Sequence, residues 1–289
     1  MTITLDALAR DTGTFLMVAM DQRESLRTML APHHDDADEA RMVRFKLAVA
    51  RELGPHASGF LIDRHYAYEE IVRDRILPKS CGLLLAVDAL DQQPGEIVED
   101  TSIDDGADVA AAARNGVAAL KLLVLWRDDD RRAERIEMSR RFSELAREQG
   151  LLSVLEPVVR GPEGFDREAA IVEAARDLGT TGCDLYKCEV PTHGGAEPDV
   201  ITEWSRRIDD SLPCPWVVLS QGVEPARYPA AVEAACRGGA SGMLAGRAVW
   251  TATLAADDPT ELLRSRSVPR LQELAAIVDA HGRPWREKK

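Results

Sequence analysis

The sequence predicts an α/β fold, a closed (β/α)8 TIM barrel formed as one domain over residues 1–289. Three observations predict it. Short apolar runs recur eight times, amphipathic helical stretches separate most of them, and several runs end on an isolated polar side chain. Continuous apolar strands alternating with helices imply a parallel sheet covered by helices. The eight units have no obvious linker between them, and 289 residues suit one barrel domain. An open doubly wound sheet is the alternative. Such a sheet carries a Gly-rich dinucleotide loop after its first strand, and Asp21-Gln22-Arg23 offers none.

Residues 1–13 read as a short helix or cap ahead of the first strand. The apolar runs are 14–20, ending at Asp21, then 57–62, ending at Asp63, and 82–87, ending at Asp88. Those that follow are 118–126, 151–159, 183–190, 215–219 and 241–245. Helical periodicity marks 38–53, 65–74, 106–115, 130–149, 166–178, 198–209, 225–237 and 259–280. In the 130–149 stretch Phe142, Leu145 and Ala146 share a face, and Gly150 supplies the stop. Asp166 caps the next helix. The acidic, Pro- and Gly-containing segment 88–105 reads as a long βα loop on the active face, and 282–289 as a disordered tail.

Composition narrows the function. Hydrophobic residues make up 45% of the chain, enough for a large core, and the net charge is −13 with no basic block. Nucleic acid and an anionic membrane surface are thereby excluded as partners, while a small anionic substrate held by local arginines or lysines is not. No apolar run reaches the roughly 18 residues of a bilayer span. The polar start gives no signal-peptide core, and Cys81, Cys183, Cys188, Cys214 and Cys236 lie in apolar contexts without CxxC spacing. A reducing cytoplasm is the expected location.

Barrel enzymes do their chemistry at the carboxyl ends of the strands. Here Asp21 and Gln22 close the first run, Lys121 lies in the fourth, Glu156 in the fifth and Lys187 in the sixth. Ser220, Gly222, Gly246 and Arg247 close the seventh and eighth. Each has a structural alternative. Lys121 and Glu156 could form an ion pair, Asp21 could cap a helix, the glycines could serve turns, and Arg247 could pair with Glu224. Taken together, two lysines, a glutamate and an aspartate on neighbouring inward faces demand a polar cavity. A second cation lowers the pKa of a lysine and favours the amine that attacks carbonyls, and Lys121 is the candidate partner for Lys187. Glu156 is placed to pass protons, and the glycines with Arg247 suit a phosphate.

A resemblance reaches the same residues. The stretches 18–23 (VAMDQR), 119–127 (ALKLLVLWR), 156–159 (EPVV), 165–169 (FDREA), 184–187 (DLYK), 219–223 (LSQGV) and 244–250 (LAGRAVW) run in order along the barrel. In them the chain resembles the tagatose 1,6-bisphosphate aldolases, a class I family, and within it the sulfofructosephosphate aldolases. The resemblance implies a Schiff base at Lys187, proton transfer by Glu156, a supporting Lys121 and no cofactor or metal. It also implies substrate contacts from Asp21 and Gln22, phosphate contacts from Ser220, Gly222, Gly246 and Arg247, and a homo-oligomer. Gln221 stands where relatives have a small residue, and Cys188 where they have valine. A metal-dependent barrel is the rival enzyme, but its one cluster, His33-His34-Asp35-Asp36, is consecutive and converges poorly on one ion. A non-catalytic sugar-phosphate sensor would need neither Lys187 nor Glu156.

Overall fold

The structure, a computed structural model, describes residues 3–92 and 98–288. The strands are β1 (Phe15–Met20), β2 (Gly59–Asp63), β3 (Gly82–Ala86), β4 (Asp88–Asp91), β5 (Asp100–Ile103), β6 (Val117–Trp126), β7 (Leu152–Val159), β8 (Leu185–Cys188), β9 (Trp216–Val218) and β10 (Gly242–Ala245). Eight of them close into a parallel barrel in the order β1-β10-β9-β8-β7-β6-β3-β2. β1 completes the ring by pairing with β10, Phe15 opposite Gly242 and Val18 opposite Ala245.

Alternation along each strand divides its side chains between two cores. On β1, Phe15, Met17 and Ala19 point inward and join Leu61, Leu84, Ala119, Val154, Leu185, Val217 and Leu244. Leu16, Val18 and Met20 point outward into the layer beneath the helices. Removing each such side chain from water contributes about 1.5–3 kcal/mol, so both layers favour one register. Gly242 is needed at the closure: its φ is +138°, and a Cβ there would strike the Phe15 carbonyl.

The helices follow the strands. They are α1 (Glu24–Leu30), α2 (Glu39–Leu53), α3 (Tyr68–Arg73), α4 (Val109–Arg114), α5 (Arg132–Glu148), α6 (Arg167–Gly179), α7 (Pro198–Ser211), α8 (Tyr228–Arg237), α9 (Arg247–Trp250), α10 (Thr260–Leu262) and α11 (Val268–His281). Asp38, Asp108 and Asp166 cap α2, α4 and α6 by accepting the backbone N–H three residues on.

Four segments depart from the sequence expectation. α1 was not anticipated; its Leu26 and Leu30 bury one face. The stretch expected as one helix over 259–280 is broken by a π-turn at Leu263–Ser267, just ahead of Pro269, whose missing N–H interrupts the helical ladder. Segment 88–105 is not a plain loop, for β4 and β5 pair antiparallel, Asp88 opposite Ile103 and Asp91 opposite Asp100. Its residues 93–97 lie outside the described residues.

The tail is the fourth departure, and here the expectation of disorder is corrected. Arg283 N–H bonds the Ala240 carbonyl at 3.0 Å and Trp285 N–H bonds that of Gly13 at 2.8 Å. Asp209 accepts from Arg283, from Lys288 and from the Trp216 indole at 2.8–3.0 Å. Trp285 packs against the inner core beside Ile3 and Ala9. Partners distant in the sequence order these residues, so local composition could not reveal it. The stretch ahead of β1 includes a short helix, Leu5–Ala7, whose Leu5 joins Leu8 in the same inner core.

Candidate active site

Lys121 and Glu156 reach the barrel interior because β6 and β7 alternate. Ala119, below Lys121, and Val154, below Glu156, belong to the inner core. Leu125 and Val158, beyond them, form an apolar patch with Leu219. The charged layer is thus bounded by apolar side chains below and above. Lys121 and Lys187 are each 3% exposed and Glu156 8%, which makes unpaired charge in this layer costly.

The charges are paired. Glu156 Oε1 lies 2.8 Å from Lys187 Nζ, and its Oε2 lies 2.7 Å from Lys121 Nζ. Lys121 Nζ also donates to Asp21 Oδ2 at 2.8 Å and to Asp88 Oδ2 at 2.9 Å. Asp88 accepts from Arg23 Nη2 at 2.7 Å through its other oxygen and from the Leu123 N–H at 3.1 Å. Arg23 Nη1 donates to the Asp88 carbonyl at 2.8 Å, and Gln22 Nε2 donates to Asp21 Oδ1 at 3.3 Å. The Gln22 side-chain oxygen is buried without a partner among the described residues.

Electrostatics follow from this packing. Burial alone would raise the Asp21 pKa, but the charges of Lys121 and then Lys187 hold it well below the ordinary carboxylate range. Burial alone would lower that of Lys121, but Asp21, Asp88 and Glu156 hold it well above the ordinary lysine value. Lys121 was expected to act on Lys187 as a second cation, with an ion pair to Glu156 as its structural alternative. Instead Glu156 stands between the two amines, and three carboxylates surround Lys121.

These side chains open onto a cavity of about 260 Å³. Asp21, Gln22, Lys121, Glu156, Lys187, Ser220, Gly246 and Arg247 line it, as do Arg23, Asp88, Arg160 and Gln221. Gly222 does not line it. It lies one residue behind the wall with φ +77°, where a Cβ would run into the His193 ring, and Gln221 faces the cavity instead. Gly246 does line it, and a Cβ there would strike the Ala19 carbonyl and the Trp250 indole, which bond each other at 3.1 Å. Burial lowers the Arg247 pKa, against the attraction of Glu156 and Asp21. Glu224, a conceivable partner for Arg247, pairs with Arg227 at 3.6 Å.

Asp21 is not a helix cap; α1 begins after Arg23, and the Asp21 carboxylate goes to Lys121. His34 Nε2 donates to the Leu254 carbonyl, 2.7 Å away, and its other ring nitrogen faces Asp257 at 3.5 Å, so the four-residue acidic-histidine cluster does not converge. Asp88, Arg23 and Arg160 were missed as site residues. Asp88 had a signal, since it ends an apolar run as Asp21 does. Arg160 had one too, being four residues after Glu156 and so on the same strand face.

Comparison with known proteins adds to this geometry. Tagatose 1,6-diphosphate aldolase 2 of Streptococcus pyogenes serotype M1 is 27% identical to the chain over an alignment covering 100% of both. Tagatose 1,6-diphosphate aldolase of Listeria innocua is 26% identical, covering 97% of this chain and 92% of its own. Among solved structures, the fructose-bisphosphate aldolase of Slackia heliotrinireducens superposes with a TM-score of 0.65 at 19% identity, covering 96% of this chain and 88% of that one. An archaeal fructose-1,6-bisphosphate aldolase, solved with its catalytic lysine covalently bound to a carbinolamine intermediate, gives 0.60 at 17% identity, covering 95% and 98%. At these identities the superpositions show a shared fold. The family model for DeoC/LacD aldolases matches residues 15–252, nearly the whole barrel with its charged layer, and the chain belongs to the DeoC/LacD aldolase family.

Proposed function

We propose that the chain is a class I aldolase that cleaves a ketohexose 1-phosphate through a Schiff base on Lys187. The observation that carries the reading is the placement of Glu156 between Lys187 and Lys121 on the floor of the cavity. The Lys187 amine attacks the C2 carbonyl after passing a proton to Glu156, 2.8 Å away. Glu156 returns that proton to the carbinolamine hydroxyl, which leaves as water and yields the protonated imine. Glu156, again a carboxylate, then takes the C4 hydroxyl proton as the C3–C4 bond breaks. The electron pair moves into the imine to give an enamine, and C4–C6 depart as a three-carbon aldehyde. Glu156 returns that proton to C3 of the enamine, and water hydrolyses the resulting imine to release dihydroxyacetone phosphate and restore Lys187.

The rest of the cavity suits the substrate. Arg247, the Ser220 hydroxyl and the close backbone at Gly246 take the C1 phosphate, while Asp21 and Gln22 meet sugar hydroxyls. On the strength of the motif resemblance, the substrate is 6-deoxy-6-sulfofructose 1-phosphate, cleaved to dihydroxyacetone phosphate and sulfolactaldehyde. A second reading, tagatose or fructose 1,6-bisphosphate, is favoured by the activity for which the Streptococcus and Listeria relatives are named.

Borohydride reduction in the presence of dihydroxyacetone phosphate tests the mechanism. The expected result is a covalent mass increase on the peptide that holds Lys187, absent in Lys187→Ala. An adduct elsewhere, or none, removes the Schiff-base reading.

A further inference from the structure

Five cationic side chains line the cavity: Arg23, Lys121, Lys187, Arg160 and Arg247. Three are committed to carboxylates, Arg23 to Asp88, Lys121 to Asp21, Asp88 and Glu156, and Lys187 to Glu156. Arg160 and Arg247 form no ion pair with any described residue. Among the described residues, the one hydrogen bond of the Arg160 guanidinium is from Nη1 to the carbonyl of its own neighbour Val159, at 3.0 Å. Glu189 attracts it but is already occupied, accepting from Arg167 Nη2 at 3.0 Å and from the Val159 N–H at 2.8 Å. A partly buried guanidinium with no carboxylate partner among the described residues is a costly arrangement that an anionic ligand would relieve.

The two unpaired arginines differ in depth. Arg247 feels the charges of Glu156 and Asp21, which places it beside the reacting layer. Arg160 feels Glu189, Arg127 and Arg167 and neither of those carboxylates. The inward series of β7 runs Val154, Glu156 and Val158, and Arg160 continues it one residue past the strand, its N–H bonded to the Trp126 carbonyl at 2.9 Å. Four residues of extended chain set Arg160 about 13 Å along the strand direction from Glu156, toward the rim. That is about the reach of the four carbons beyond the imine carbon plus an arginine arm. In the ring, Lys187 on β8 lies between β7 and β10.

We propose that Arg160 is the specificity-determining residue for the distal end of the substrate, binding a terminal tetrahedral oxyanion, sulfonate or phosphate, on the carbon farthest from the imine. This rests on the aldolase reading above and deepens it. Arg247 takes the anion next to the carbonyl carbon, Arg160 the one at the other end, and the apolar patch of Leu125, Val158 and Leu219 lies between the reacting layer and the rim.

The test compares the full chain with Arg160→Gln and Arg160→Lys on three ketohexose 1-phosphates, carrying at C6 a neutral hydroxyl, a phosphate or a sulfonate. The readout is the ratio of kcat/KM for a doubly anionic substrate to that for the one with the hydroxyl. Arg160→Gln is expected to lower this ratio about 30-fold, mainly through KM, as loss of a charge-assisted hydrogen bond does, and Arg160→Lys to recover part of it. Whichever substrate shows the larger fall, sulfonate or phosphate, is the anion the site is built for. An unmoved ratio, or an equal loss on all three substrates, overturns the proposal. Borohydride trapping with dihydroxyacetone phosphate separates the two levels. If the wild type gives the adduct while the ratio stays unmoved, the distal site fails and the aldolase reading stands; if the wild type gives no adduct, both fall.

Discussion

Glu156 holds two lysines with one carboxylate, Oε1 at 2.8 Å from Lys187 and Oε2 at 2.7 Å from Lys121. Each oxygen has its own amine. A proton can therefore move between Glu156 and Lys187 while the contact to Lys121 keeps the carboxylate in place.

Glu156→Gln retains the shape and one acceptor but cannot carry that proton. We expect kcat to fall by about 10²–10⁴, the usual contribution of a positioned acid–base group, with KM changed little. Steady-state kinetics decide this. A rise in KM with kcat unchanged would show Glu156 to be a binding residue.

Arg247→Ala removes from the cavity a cation that forms no ion pair with any described residue, and leaves the lysines untouched. KM for phosphorylated ketoses is expected to rise about 30- to 100-fold, with borohydride trapping still possible at high dihydroxyacetone phosphate. An unchanged KM would take Arg247 out of the phosphate site.

Lys121→Met should destabilise more than it disturbs the shape. Three carboxylates lose their shared ammonium, a change that costs about 3–5 kcal/mol when a buried pair is broken from one side. Adding Asp21→Asn to that variant should restore part of the loss, because Lys121 is the one cation that Asp21 pairs with among the described residues. Urea denaturation of the wild type, the single variants and the double variant measures the coupling. Simple additivity would contradict the contact.

Asp21 predicts an acid limb. Its folded pKa lies below the unfolded value of about 3.9, because Lys121 and Lys187 outweigh burial. Its contribution is complete above the unfolded value and is lost as pH falls through the folded one, since the unfolded chain binds the extra proton there. Lys121 runs the other way, with its contribution complete below about 10.4 and lost as pH rises through its raised folded value. Asp21→Asn should flatten the dependence of the urea midpoint on acidity below about pH 4. An acid slope equal to that of the wild type would remove Asp21 as its source.

Asp209 makes the ordered tail testable. It accepts from Trp216, Arg283 and Lys288, and Asp209→Ala leaves the indole and one or both cations without an acceptor. We expect a loss of about 2–4 kcal/mol and faster proteolysis beyond Gly282. Unaltered cleavage would show that other contacts hold the tail.

The barrel was legible because its strands are buried on both faces and so appear as unbroken apolar runs. The run over 118–126 matches β6 within one residue, and 241–245 brackets β10. The inward lysines and Glu156 were legible for the opposite reason, as charges in apolar surroundings. Asp88 was not recognised as a site residue, because it also begins the acidic segment that reads as a long loop on the active face. Only the pairing of β4 with β5 and the contact to Lys121 set it apart. The π-turn before Pro269 and the docked Trp285 depend on packing against distant parts of the chain, which no window of neighbouring residues contains.

In the charged layer Asp21, Asp88 and Glu156 face Arg23, Lys121 and Lys187. On the proposed reaction this balance is conserved through the cycle. The resting ammonium and the protonated imine carry the same charge at nearly the same place. At the neutral carbinolamine between them, the proton rests on Glu156 and the sum is unchanged. A layer bounded by apolar side chains and this little exposed has little solvent with which to rearrange around a new charge. Shuttling one proton inside a fixed total spares the barrel that rearrangement at every turnover.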